Sequence, residues 1–204
     1  MIGFCYAATG EKEKSLAYLQ QAAAGGFAGF PQLDSAQFNQ IRTTDSFIKV
    51  KKDIYENAFP CLKDSNNNKF DFWVGEWDVF VNNKKTADSK ITKATGGCAV
   101  HEDYVVLTGL YAGQSISYYD PVEKRWEQYW VGSAGDKSEY YETENYTEDM
   151  QFIWKRKNAG GKEIWTKMSY IAQDQNTVIQ TLVTSTDNGI SWNPGFSGTY
   201  KRKQ

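Results

Sequence analysis

Apolar residues repeat along this chain with two different periods. Over residues 2–57 they recur every three or four positions, the spacing of a helix face, and over residues 70–203 they tend to recur at every second position, the spacing of a strand. In EKEKSLAYLQQAAAGG the residues Ser15, Leu16, Leu19, Ala22 and Ala23 fall on one side of a helix, which Gly25-Gly26 stops. A second helix is expected around Phe30 to Gln40 and a third around Thr44 to Tyr55, capped by Thr44 or Asp45. Ten strand-like runs follow: 70–82, 86–95, 98–108, 114–119, 125–131, 138–146, 150–157, 162–171, 177–186 and 190–203. Turn chemistry joins them, such as Gly96-Gly97, Asp120-Pro121, Gly160-Gly161 and Asp187-Asn188-Gly189. No helix-length segment interrupts the series, so neighbouring strands should pair antiparallel. An up-and-down barrel removes exposed edges and is preferred to a two-sheet sandwich.

The expected fold is therefore α+β but mainly β: a barrel of about ten strands over residues 70–204, behind a helical segment at 1–57. The stretch 58–69 connects them, marked by Pro60 and the run Asn66-Asn67-Asn68. The barrel opens on FDFWVGEWDVFVN, Phe70 to Asn82, an initial turn leading into a half-buried strand. Gly75, two residues before Trp77, lets the backbone bend close to a large ring that closes one end of a hollow.

Composition sharpens this picture. Seven Trp, thirteen Tyr and eleven Phe, mainly after residue 70, suit strands around a sizeable interior. A net charge of −2 argues against a nucleic-acid or anionic-membrane partner. No apolar run approaches the roughly 18 residues of a membrane span, so membrane insertion is not expected. Met1 leads straight into IGFCYAATGEKEK, without a basic region or cleavage site, so the chain reads as starting inside a longer protein. The three cysteines, Cys5, Cys61 and Cys98, have no metal spacing and by themselves read as buried thiols. No metal or cofactor is implied: HxH, CxxC and EF-hand patterns are missing, and the glycine pairs read as turns. Asn145-Tyr146-Thr147 is a glycosylation sequon by pattern.

Two resemblances rest on particular motifs. CYAATGEKEKSLAYLQQAAAGGF resembles one tetratricopeptide unit, followed by a capping segment in FPQLDSAQFNQIRTTDSFIKVKKDI. One repeat is too few for a solenoid, but it leaves a protein partner as an expectation for the helical segment. The lysines at 49, 51 and 52 read as a solvated helix face. Further on, FDFWVGEWDV, GGCAVHEDY, SISYYDPVEKRWEQYWVG and TSTDNGISWNPGFSGTYKR, in that order, are similar to the DUF1579-type family of lipocalin-like (calycin) barrels over residues 60–203. The resemblance implies that Glu102 and Tyr104 point inward, that His101 points outward, and that Gln180 is inward between Val178 and Leu182. It also implies a disulfide between Cys61 and Cys98, and so a periplasmic or secreted protein. Cys5 is left as a buried residue of the helical repeat.

In RWEQYWV, Trp126, Gln128 and Trp130 share one strand face, and three ring-or-amide side chains in register mark it as the lumen. The expected cavity is walled by Trp77, Tyr104, Trp126 and Trp130, with Glu102, Gln128, Gln180, Ser115, Ser117 and Tyr119 as polar handles. Apolar walls with few polar groups suit a small hydrophobic or amphipathic ligand. An interior Glu102 is either protonated or paired with Arg125 or Lys167, and the sequence leaves both open. The competing functions are an isomerase or cyclase using Glu102 and Tyr104, and an interaction module built on the helical segment. Glu142 and Glu144, with Tyr140 and Tyr146, read as a solvated outer face rather than an acid–base pair. His101 has no nucleophile partner by spacing, and haem ligation would need an inward histidine.

Overall fold

Local sequence explains most element boundaries. The computed structural model describes residues 2–144 and 147–203, in two units, residues 1–65 and 66–204. Asn145 and Tyr146, and with them the acceptor of the sequon, lie outside the described residues.

In the first unit α1 (Ile2–Ala8) and α2 (Lys12–Ala24) meet where Gly3 leaves room for the Leu19 side chain. The Ser15 hydroxyl donates to the Gly3 carbonyl at 2.9 Å. α3 (Asp45–Ala58) is capped by Thr44, whose hydroxyl accepts from the Phe47 N–H at 3.3 Å. Leu19, Leu33, Phe38, Phe47, Val50 and Ile54 form the core between these helices. The helix expected over Phe30 to Gln40 is instead two short 3-10 turns, Phe30–Asp34 and Ala36–Phe38. The Asp34 carbonyl is taken by the Arg42 guanidinium at 2.7 Å, and the Phe38 N–H turns to the Ser35 carbonyl, so no α-ladder forms. Cys5 is exposed rather than buried, because α1 turns Gly3, not Cys5, toward α2. Cys61 and Cys98 are disulfide-bonded.

The second unit is a closed, ten-stranded, antiparallel up-and-down barrel. Its strands are β1 (Gly75–Val81), β2 (Lys84–Ala94), β3 (Ala99–Val106), β4 (Ala112–Asp120) and β5 (Arg125–Gly132). β6 (Lys137–Glu142), β7 (Met150–Lys157), β8 (Glu163–Asp174), β9 (Thr177–Ser185) and β10 (Asn193–Arg202) complete it. Each strand pairs with its sequence neighbours, and β10 returns to β1 with Trp77 opposite Arg202 and Val79 opposite Tyr200. Closure gives every strand a neighbour on both sides among the described residues. Alternation along the strands is sharp: Ala87, Ser89 and Ile91 of β2 are buried, and the intervening Asp88 and Lys90 carry ion pairs with Lys203 and Glu76 on the outside.

The initial segment does not join the sheet. Asp71–Trp73 is a 3-10 turn, and it drives Phe70 and Trp73, both fully buried, into one end of the barrel. Phe70 stacks on Trp73 at 4.9 Å between centroids and meets Tyr170 edge-on at 4.9 Å. Asn67 ties the segment to the β2–β3 turn by donating to the Gly97 carbonyl at 3.0 Å, and the Trp126 indole donates to the Asn66 carbonyl at 3.0 Å. At Gly75, φ is 153° and a Cβ would strike the Arg202 guanidinium, so this position needs glycine. Arg202 lies over the Trp77 ring at 4.2 Å and donates to the Val74 carbonyl at 2.9 Å, closing the same end from β10.

Candidate ligand-binding site

Because one end is plugged, the space left in the lumen lies toward the opposite end, where residues 107–111 join β3 to β4 and residues 133–136 join β5 to β6. A cavity of about 300 Å³ occupies it. Of the side chains expected to form a site, five line it: Glu102, Tyr104, Gln128, Trp130 and Gln180. Trp77 and Trp126 do not. They share the lumenal face but sit at the plugged end, fully buried in the cluster around Phe70 and Trp73, and Tyr119 packs on Trp126 there at 6.4 Å. The Trp77 indole donates to the Trp73 carbonyl at 2.9 Å, so its polar edge is consumed by the plug.

Glu102 is the central feature. β3 sets it opposite Ile91 of β2 and Ser115 of β4, and its side chain points into the lumen with the residue only 3 % exposed. It accepts hydrogen bonds from the Ser89 hydroxyl at 2.7 Å and from the Ser115 hydroxyl at 3.3 Å. Burial pushes its carboxyl up from 4.5 to about 7, against the two serine hydroxyls, which favour the anion. Neither of the bases considered for it is its partner. Arg125 pairs with Glu127 at 3.0 Å on the outside of β5, and Lys167 stands over the Trp192 ring at 4.5 Å. No base among the described residues reaches Glu102.

The amides behave differently. Gln128 donates to the Ser117 hydroxyl at 2.9 Å and to the Tyr170 hydroxyl at 3.3 Å. Gln180 donates to Tyr170 at 2.8 Å and accepts from the Tyr200 hydroxyl at 2.7 Å. This chain spans five strands, and burial raises the titration of Tyr170 and Tyr200 well above the ordinary tyrosine range. Ser117 belongs to it and Ser115 to Glu102.

Several cavity residues were not anticipated. Tyr140, assigned to an outer face with Glu142, is 5 % exposed and lines the lumen, while Tyr141 takes the outer position beneath Arg125 at 4.5 Å. The parity of β6 is set by its pairing of Tyr140 with Gln128. Glu142 is spent on the Trp126 N–H at 2.8 Å and on Lys69. Met168, Leu182, Phe196 and Tyr200 add wall. At the mouth, Asp136 accepts from the Tyr111 hydroxyl at 2.8 Å and from the Trp130 indole at 3.2 Å, bonds that hold its carboxyl below the usual range. Tyr111 and Asp136 come from turns, where strand alternation carries no information. Over the Gly113 position the Trp130 ring lies so close that a Cβ would collide with it.

His101 faces outward, 3.6 Å from Asp103. Among the described residues no group of three or more His, Cys, Asp or Glu side chains is placed to hold a metal ion, and no helix is long and apolar enough to cross a membrane. In the helical unit a groove mixes Ala23, Ala24 and Val50 with Lys49, Asp53 and Glu56, and so is part apolar and part charged. No protein-family model matches the chain, and no curated protein matches it.

Proposed function

We propose that the barrel is a binding protein for a small amphipathic molecule held in the cavity above the Phe70–Trp73 plug. The observation that carries this reading is the cavity itself: it has aromatic and aliphatic walls, few polar groups, and a buried carboxyl whose only partners among the described residues are two hydroxyls. At about 300 Å³ it stands at the small end of ligand pockets, which run from roughly 300 to 1,000 Å³, so one or two rings fill it. The motif likeness to DUF1579-type lipocalin-like barrels supports the same reading without adding a chemistry. The disulfide is at home in an oxidising compartment, which fits a periplasmic or secreted carrier.

The enzymatic alternative draws on the same Glu102, which titrates near neutrality as a general acid or base should. Its lumenal neighbours weaken that alternative. Tyr104, Tyr170 and Tyr200 are all pushed up from an already high tyrosine value, so none supplies a second group titrating near neutrality.

The test is titration with the neutral dye N-phenyl-naphthylamine. Saturable one-to-one binding that quenches Trp130 fluorescence, and is lost in a Leu182→Trp variant that fills the space, is the expected result. A dye that neither saturates nor responds to Leu182→Trp removes the reading.

A further inference from the structure

The charge pattern of the cavity is one-sided. Glu102 lies within and Asp136 at the mouth, and the lining contains no lysine, arginine or histidine. The same molecule shows what it does with a buried carboxylate that has a structural task. Glu127, 5 % exposed on the outer face, is met by Arg125 at 3.0 Å and by the hydroxyls of Tyr118 and Tyr129 at 3.0 and 2.9 Å. Glu102 is buried at least as deeply and, among the described residues, has only neutral donors.

The aromatic rings repeat the contrast. Outside the cavity, Lys155 stands over Trp165 at 3.7 Å, Lys167 over Trp192 at 4.5 Å and Arg202 over Trp77 at 4.2 Å. Among the described residues no cation stands over Trp130, whose ring faces the cavity with Tyr104 edge-on to it at 6.0 Å. The Gln128 carbonyl oxygen also receives no hydrogen bond among the described residues, and adds an acceptor to the wall.

We infer that the ligand is an organic cation: a primary or secondary amine on an aromatic or apolar body, its ammonium directed at Glu102 and its body against Trp130, Tyr104 and Phe196. This rests on the cavity being a binding site. An ammonium supplies the charge partner that an ionised, buried Glu102 lacks, and the rings around it favour a cation over their faces. A carboxylate ligand would meet Glu102 and Asp136 with like charge and without a compensating base. A neutral ligand would leave an ionised Glu102 without a charge partner.

Three probes of one shape and different charge test it by calorimetry at about pH 8, where phenethylamine is protonated and Glu102 is mostly ionised: phenethylamine, phenethyl alcohol and phenylacetate. The amine should bind on the order of tenfold or more tightly than the alcohol, with phenylacetate weakest. In Glu102→Gln the ratio of amine to alcohol affinity should fall toward one. The wild-type ranking carries the test even where Glu102→Gln does not fold. If the alcohol or phenylacetate matches the amine, or only N-phenyl-naphthylamine binds, the cation inference is overturned and the binding site stands. If none of the four binds, both readings fall together.

Discussion

Glu102 offers a measurable consequence that needs no ligand. In the unfolded chain its carboxyl titrates near 4.5, and in the barrel near 7, because burial penalises the anion more than Ser89 and Ser115 relieve it. The folded state therefore holds a proton that the unfolded state has released between those values. The sign follows: the contribution is most favourable below the unfolded pKa and is lost as pH rises through the folded one. At about 1.4 kcal/mol per pH unit, the interval makes Glu102 cost the fold about 3 kcal/mol at pH 8 relative to pH 4. Asp103 adds like charge to the anion's penalty, while Tyr104, Tyr170 and Tyr200, all pushed up from the ordinary tyrosine value, carry no charge over the window. Glu102→Gln can keep both serine bonds while removing the proton equilibrium. Urea unfolding of the two proteins over this pH range, read by tryptophan fluorescence, isolates the term, since all seven tryptophans lie in residues 66–204. The stability difference should move by about 3 kcal/mol in favour of Glu102→Gln as pH rises. A difference that stays constant with pH refutes a desolvated, unpaired Glu102.

Other expectations follow from the plug, the polar chain and the cysteines. Phe70→Ala removes a fully buried ring between Trp73 and Tyr170 and should lower barrel stability by about 3–5 kcal/mol in the same urea assay. Tyr200→Phe leaves the Gln180 carbonyl without its 2.7 Å donor and should cost about 1–3 kcal/mol; no loss would mean water replaces the hydroxyl. Gly75→Ala should cost at least about 1 kcal/mol, because the new methyl meets the Arg202 guanidinium at a backbone angle that alanine avoids. Alkylation of the unreduced, unfolded protein should label one thiol, Cys5, and reduction should expose the other two; three labels without reductant would exclude the Cys61–Cys98 bond.

Residue order alone determined the ten strands and their antiparallel course, because a period of two and the turn residues between runs are local properties of the chain. It also determined that Gln128 and Trp130 share a face, while the motif likeness, not the alternation, assigned Glu102, Tyr104 and Gln180 to the lumen. Local pattern failed where a neighbouring side chain competes for the backbone: Arg42 takes the Asp34 carbonyl, and 3-10 turns replace a helix. What only the tertiary structure decided is height along the barrel. Trp77, Trp126 and Tyr119 are lumenal residues by the same logic as Trp130, yet they belong to the plug, because residues 66–74 enter from one end and fill the space around them. The mouth, with Tyr111 and Asp136, is assembled from turns distant in sequence. The isolation of Glu102 is likewise tertiary: the motif likeness implied its direction and alternation put Arg125 on the other face of β5, but only the packed barrel showed Arg125 paired with Glu127 and, among the described residues, two hydroxyls as the partners of the inner carboxyl.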